Sequence, residues 1–367
     1  MRSWTVFSNA IINMPLHMEE VMVSITFIRR KPCTVPNGLS RYADALEEIA
    51  NGGGAETEDL YLTWDRSSDG IGGIFSMMSR QFLRLISERG KQDVYHITDE
   101  ACALFIPFMK GRRIVTFHHI VKQGEGDSKT YYRTWKFLAA IAVRYSDMII
   151  AQSSLTKREI MSTFPVEDSR IQVIPSSINP RYRTLQNVEK KNIIGCIGGL
   201  NVRKNFTSAV RSFKLFLDMP FTSGYELHIC GIGPDRDAIT EEARRLGIAD
   251  RVVIISELSD DKVVEYYNSM KVLANPSLHE GLGLATLEAQ RCSTPVVYFK
   301  NANMPSEVTR YAIPSDDERE FAKNMHKLVT DREYYEKTVA EGKEYADGFG
   351  CDFRDRISDI YGLTRVR

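Results

Sequence analysis

Residues 271–290 (KVLANPSLHEGLGLATLEAQ) leave the chain little freedom of fold, because they read as strand, glycine-bearing loop and helix in immediate succession. The run 271–276 is a short buried strand, and from Ala285 onward Leu287, Glu288, Ala289 and Gln290 favour a helix. A loop so placed lies at the carboxyl end of a strand, where open parallel α/β sheets bind ligands. The helix start adds unpaired N–H groups at the positive end of its dipole. Phosphate is the expected guest. Gly281 and Gly283 let the backbone approach it closely. Glu280, before the helix, can accept hydrogen bonds from hydroxyls beyond the phosphates, and Glu288, about one turn inside, can reach hydroxyls on the other side. Such a pair suits a sugar-rich phosphate ester. The alternative reading is a solvated glutamate followed by a helix-start glutamate favoured by the dipole.

The two glutamates, separated by seven residues in EGLGLATLE and followed by the small-residue turn and strand CSTPVVYF (292–299), carry a resemblance. The pattern resembles family 4 of the retaining, nucleotide-sugar-dependent glycosyltransferases (glycosyl transferases group 1), which have the GT-B fold. The resemblance implies that Glu280 contacts the transferred sugar and Glu288 the donor ribose. The amides near Gly283 and Leu284 would hold the diphosphate.

The chain has 367 residues, 43% of them hydrophobic, which is enough for two α/β domains of ordinary size. Its formal net charge is zero, and both halves are balanced, so no basic face of the kind nucleic-acid binders use is expected. The six cysteines (Cys33, Cys102, Cys196, Cys230, Cys292, Cys351) are far apart without CxxC pairing and read as reduced, buried thiols of a cytoplasmic protein. No apolar run approaches the roughly 18 residues that span a bilayer. Residues 1–20 lack a strong basic region and a clear cleavage site, so no signal peptide is expected. They read as an extension, or as leader to a later start at Met18 or Met22.

The first half reads as strand 21–29, a loop 31–39, and a helix 40–50 with Ser40 as N-cap. The segment PNGLSRY resembles the family's glycine loop, which implies that Gly38 approaches the donor diphosphate on domain closure; a plain strand-to-helix turn is the alternative. A strand 59–63 precedes an amphipathic helix 71–89, whose Arg80, Arg84 and Arg89 lie largely off the apolar face. Peripheral members of such families touch anionic membranes with basic helices, so this helix is either a membrane contact or a solvated face. Strands 94–98 and 113–117 follow, the second running into His118 and His119. His118 matches the family's strand-end histidine, which the resemblance places near the transferred sugar, whereas His119 stands where many members have aspartate. Adjacent residues point apart on an extended chain and no third ligand is evident, so no metal is expected there. A helix 128–145, a strand 147–151 and the family-like region 153–183 complete this half. Within that region Ser176 and Ser177 replace the usual Asn-Gly.

After a polar linker, 179–191, comes strand 192–197 and then GGLNVRKN (198–205). Many relatives have arginine after the first glycine and lysine five residues later, both on the donor phosphates. Lys204 keeps the lysine position, Gly199 replaces the arginine, and Arg203 is placed to supply the missing charge. Two solvated basic residues at a helix entrance are the alternative. Strands 225–231 and 251–255 lead to SELSDDKV, where the backbone around Leu258 is implied to recognise the base. The last helix, 352–361, is expected to cross back onto the first domain.

The expected architecture is thus α/β, two doubly wound Rossmann-like domains facing across a cleft. The expected parts are an extension (1–20), an acceptor-side domain (21–178), a nucleotide-sugar-binding domain (192–348) and a crossing helix (349–367). The resemblance implies a retaining, metal-independent hexosyltransferase using a nucleoside diphosphate sugar, UDP- or GDP-linked, as co-substrate rather than a cofactor. The acceptor would be a glycan or lipid-linked, and the location cytoplasmic or peripheral at the inner face of the membrane. His118, Lys204 and Glu280 are the expected catalytic residues, and Gly38, Arg203, Lys204, Leu258, Gly283, Leu284 and Glu288 the donor-binding ones. A nucleotide-sugar epimerase or phosphorylase, and a non-catalytic binding subunit suggested by Gly199, are the rival readings.

Overall fold

The computed structural model describes residues 22–30, 38–62, 92–122, 129–256 and 258–363. The extension 1–20, the helix expected over 71–89, most of the 31–39 loop and Cys33 lie outside them. Short apolar runs build two six-stranded parallel sheets, each covered by helices on both faces. Strands buried along their whole length, such as Val94–Ile97, require such cover on both faces.

The first sheet contains β1 (Ser24–Arg30), β2 (Glu56–Leu62), β3 (Val94–Ile97), β4 (Arg112–Phe117), β5 (Met148–Ala151) and β6 (Ile171–Val173). Its order is β2-β1-β3-β4-β5-β6. Alternation along β1 sends Ile25 and Phe27 towards helix α1 (Gly38–Gly52) and Ile28 towards α2 (Lys129–Tyr145). Helix α3 (Ser154–Thr163) starts where Ser153 Oγ accepts from the Thr156 amide at 3.1 Å. A 3₁₀ segment, Glu100–Phe108, joins β3 to β4; its cap is Asp99, which accepts from the Ala101 amide at 2.9 Å.

The second sheet contains β7 (Ile193–Ile197), β8 (Glu226–Cys230), β9 (Val252–Ile255), β10 (Val272–Asn275), β11 (Val296–Phe299) and β12 (Ile313–Ser315), in the order β12-β11-β10-β7-β8-β9. Helices α4 (Phe206–Leu217), α5 (Arg236–Arg245), α6 (Asp260–Ser269), α7 (Leu284–Arg291), α8 (Ser306–Thr309), α9 (Glu318–Thr330) and α10 (Arg332–Gly348) surround it. Ile194 and Cys196 of β7 pack with α4 and α9, while Ile193 packs with α6 and α7. Each sheet reverses its strand order beside its first strand, between β1 and β3 and between β7 and β10. Those are the topological switch points at which such sheets bind ligands.

Helix α11 (Phe353–Tyr361) leaves the second domain and packs on the first. Its Phe353, Ile357, Ile360 and Tyr361 share a core with Ile25, Tyr42, Leu46 and Ile114. The join also carries polar contacts: Tyr361 Oη meets His96 Nδ1 at 2.5 Å, His96 Nε2 meets Thr116 Oγ1 at 2.8 Å, and Arg112 donates to the Ile360 carbonyl.

Two expectations need correction. Helix α1 begins at Gly38, so Ser40 lies inside its first turn and does not cap it, because a cap is the non-helical residue that precedes the first turn. Cys102, Cys196, Cys230 and Cys292 are buried thiols as expected, but Cys351 is exposed, because it sits in the turn leading to α11 and not in a strand. Among the described residues no helix is long and apolar enough to cross a membrane.

Candidate active site

The second switch point brings together the loops after β7 and β10. After β7 the chain turns at Gly198, whose φ of +144° lies in the range that side chains resist, and a Cβ there would come within 2.8 Å of Lys204 Cε. The Lys204 side chain therefore lies over this glycine. Asn201 caps the short 3₁₀ turn Val202–Lys204 by accepting from the Lys204 amide, and left-handed Asn205 turns the chain into α4. Both cations consequently face the loop after β10. Lys204 Nζ is 2.6 Å from Glu280 Oε1, and Arg203 Nη1 is 2.7 Å from Glu280 Oε2 and 2.7 Å from the His279 carbonyl oxygen.

Glu280 is 6% exposed. Burial pushes its carboxyl up, but Lys204 and then Arg203 outweigh that and hold it well below the usual carboxylate range. Two cations share one carboxylate, so the cluster retains one positive charge. The amino end of α7 adjoins it: Gly283 takes left-handed φ 85° and ψ 45°, and no side chain caps the helix. First-turn amides, a helix dipole and a net positive cluster are together suited to an anion.

Glu288, in the body of α7, is half-buried and accepts from Tyr267 Oη at 2.9 Å. Burial raises its pKa, opposed by the Tyr267 hydrogen bond and then by the charge of Arg41. The two glutamates are thus driven in opposite directions by their surroundings, the pattern of a site that assigns them different tasks.

The first domain contributes His118 at the end of β4. Its Nε2 lies 2.8 Å from the Thr98 carbonyl, which can only accept, so Nε2 carries the hydrogen and Nδ1 is the acceptor of the neutral ring. Burial lowers its pKa, favouring that neutral form. Tyr42 stands edge-on to the ring, with centroids 5.0 Å apart. The His118 backbone meets the second domain at Gly281, where a Cβ would lie 1.7 Å from the His118 carbonyl oxygen. Ser153 Oγ and Thr156 Oγ1 donate to the Gly281 carbonyl at 2.5 and 3.2 Å, and Ser154 donates to Glu307. Glu159 of α3 accepts from Asn303 and meets His279 Nε2 at 3.2 Å; burial pushes its carboxyl up, but the hydrogen bonds from His279 and Lys122, followed by their charges, outweigh that and hold it down at about 2.

The structure brings Arg203, Lys204, Glu280, Gly283 and Leu284 into one cluster, with Glu288 on the same helix and His118 across the seam. Leu258 packs partly against the apolar cluster that holds Tyr182 and Tyr267. Gly38 is not brought in: it opens α1, and among the described residues a Cβ on it would meet nothing within 4 Å. Sequence reasoning missed Arg41, Tyr182, Asp260 and Glu159, whose partners lie across the domain seam and leave no local signal. Among the described residues no group of three or more His, Cys, Asp or Glu side chains is arranged to hold a metal.

Comparison with known proteins bears on the family and the fold. The model of glycosyl transferases group 1 matches residues 181–345, and that of glycosyltransferase family 4 matches residues 62–182. The chain belongs to the group 1, family 4 glycosyltransferases. Family members similar to it include the 2-deoxystreptamine N-acetyl-D-glucosaminyltransferase of Streptomyces fradiae. That protein is 25% identical over 61% of this chain and 57% of its own length. The O-antigen chain mannosyltransferase of Salmonella typhimurium is 29% identical over 52% and 53%. The matched stretch thus spans about half the length of these curated relatives. The fold matches that of HepE from Anabaena, solved with UDP and glucose, at a TM-score of 0.73 and 13% identity, covering 93% of this chain and all of that one. Two Rossmann-like domains facing each other in this way are the GT-B architecture.

Proposed function

We propose that this family member is a retaining glycosyltransferase that moves a hexose from a nucleoside diphosphate sugar to a glycan or lipid-linked acceptor. The observation that carries the reading is the Lys204–Glu280–Arg203 cluster at the uncapped start of α7. It offers a net positive, water-poor cradle for a diphosphate. HepE was solved with UDP and glucose, which favours a UDP-sugar here, with a GDP-sugar as the other candidate. The two curated relatives transfer N-acetylglucosamine and mannose by name, so relatedness does not select the sugar.

In this reading the diphosphate lies between Lys204 and the first-turn amides near Gly283 and Leu284, and Arg203 supplies the charge that Gly199 lacks. Glu288 accepts from the ribose hydroxyls, the backbone around Leu258 meets the base, and Glu280 meets the sugar. The acceptor hydroxyl attacks the anomeric carbon on the face the phosphate leaves. The bond from that carbon to the phosphate oxygen breaks, and the proton passes to the departing phosphate. As charge develops there, Lys204 and the fixed amides stabilise it without a metal. His118 presents Nδ1 on the acceptor side, and Gly38 approaches when the domains close further. A lipid-linked acceptor would place the protein peripherally on the cytoplasmic face of a membrane, with the basic segment 71–89 as the contact.

The test is a thermal-shift screen against UDP, GDP, ADP and their sugar conjugates without added metal, followed by transfer assays with the donor that binds. One nucleotide raising the midpoint by several degrees at millimolar concentration is the expected linkage. No shift with any of them would overturn the donor site.

A further inference from the structure

Arg41, on the first turns of α1, reaches out of its own domain. Its guanidinium pairs with Asp260, the first residue of α6, and the same carboxylate holds Arg181 of the linker. Its other terminal nitrogen donates to Tyr182 Oη at 3.3 Å. Tyr182 is buried and stands edge-on to Tyr267, with centroids 5.7 Å apart at 78°. Tyr267 Oη in turn donates to Glu288. A first-domain cation is thereby linked, through two tyrosines, to the carboxylate assigned above to the donor ribose.

The charged and titratable groups facing Glu288 are Tyr267 of α6, Tyr182 of the linker, Arg41 of α1, Lys204 of the loop after β7 and Cys292 at the end of α7. Burial disfavours its charged form, and Arg41 and Lys204 are the cations that oppose this. Lys204 is engaged by Glu280 at 2.6 Å and Arg41 by Asp260, so each cation is shared with a second carboxylate, and Arg41 is the one that comes from across the cleft.

We propose that Arg41 is a positioning residue for Glu288, fixing it as a hydrogen-bond acceptor for the ribose hydroxyls, so that ribose recognition depends on the first domain being docked. The inference rests on the ribose role given to Glu288. A protonated carboxyl offers a hydroxyl a weaker neutral bond, whereas a charged acceptor is worth roughly 10- to 100-fold in affinity. The diphosphate, held by Lys204, Arg203 and the α7 amides, does not depend on Arg41. Separation of the domains therefore weakens the nucleoside end of the donor first.

Calorimetric titration of the full chain with UDP, GDP and ADP and their 2′-deoxy counterparts tests this in wild type, Arg41→Met, Arg41→Lys and Glu288→Gln. The wild type is expected to prefer the ribonucleotide by about tenfold or more. Arg41→Met and Glu288→Gln lose most of that preference while keeping 2′-deoxynucleotide affinity within about threefold, and Arg41→Lys retains the preference. In Arg41→Met the preference returns as pH is raised and Glu288 ionises unaided. A merely structural contact at the seam would weaken both nucleotides alike and show no such return, which overturns the inference. Loss of preference in Glu288→Gln with an intact preference in Arg41→Met overturns the inference and leaves the donor site standing. An intact preference in Glu288→Gln overturns the ribose assignment itself.

Discussion

Gly281→Ala adds one methyl group where the two domains touch, and its effect can be worked from the geometry. Gly281 has no left-handed φ, so alanine brings no backbone strain; the whole cost arises across the seam. The new Cβ would sit 1.7 Å from the His118 carbonyl oxygen, 2.7 Å from the carbonyl carbon and 2.9 Å from His119 Cβ. Because Cβ contacts below 3.0 Å are essentially never found, the two backbones must separate by about 1.3 Å. The hydrogen bonds from Ser153 and Thr156 to the Gly281 carbonyl stretch with them, each worth about 1 kcal/mol, which gives a total near 2 kcal/mol against the docked arrangement. Misplacing Glu280 relative to His118 by that distance is expected to lower transfer roughly 30- to 100-fold. Affinity for a 2′-deoxynucleotide, set mainly within the second domain, should change less than about threefold, and any larger loss should be confined to the ribonucleotide, whose ribose contact depends on docking. Steady-state transfer at saturating donor, paired with calorimetric binding of the nucleotide, measures both. Activity within about threefold of wild type, or a parallel collapse of 2′-deoxynucleotide binding, would refute the placement of His118 against the Glu280 loop.

Lys204→Ala is expected to reduce turnover by roughly 100-fold or more and donor affinity with it; unchanged kinetics would remove Lys204 from the site. Glu280→Gln removes the charge that neutralises Arg203 and Lys204, so transfer should fall steeply while nucleoside diphosphate binding holds or tightens; weaker binding by calorimetry would contradict the division of labour between the two glutamates. Glu100, buried with Trp135 Nε1 at 2.7 Å, is pushed up from 4.5 to about 8 by burial. The folded state thus holds a proton that the unfolded chain releases above 4.5, and stability is present in full below that value and lost, by about 1.4 kcal/mol per unit, as pH rises towards 8. Glu100→Gln keeps the acceptor for Trp135 and should raise the unfolding midpoint at pH 8 but not at pH 4.5; equal effects at both would exclude an ionisation cost.

The anion cradle was legible in the sequence because its parts are local. A strand end, a glycine and a helix start sit together in 271–290 and again in 192–206, and the switch-point rule places two such loops side by side. What the sequence does not reveal is how Arg203 and Lys204 divide one carboxylate, since that depends on the angle between two loops some 76 residues apart. Arg41 and Asp260 are separated by 219 positions and meet only because two domains dock. The 3₁₀ segment Glu100–Phe108 was missed for a different reason: its continuous apolar run, EACALFIPF, has no period of its own and is shaped by the sheet and helix it fills between. Strand positions such as β4, expected from 113 and observed from Arg112, were recovered because unbroken apolar runs admit few other fates in an α/β chain.

The return of α11 gives the molecule an order of manufacture. The apolar core beneath α1 includes Ile357, Ile360 and Tyr361, and the buried His96 finds one of its two partners in Tyr361. On the ribosome the first domain therefore emerges first and is completed last, after the whole second domain has been made. Until then, the surface that awaits residues 353–361 is open, and His96 lacks its tyrosine. A fragment ending at residue 348 would carry every residue of the anion cradle and still leave its opposite wall unfinished.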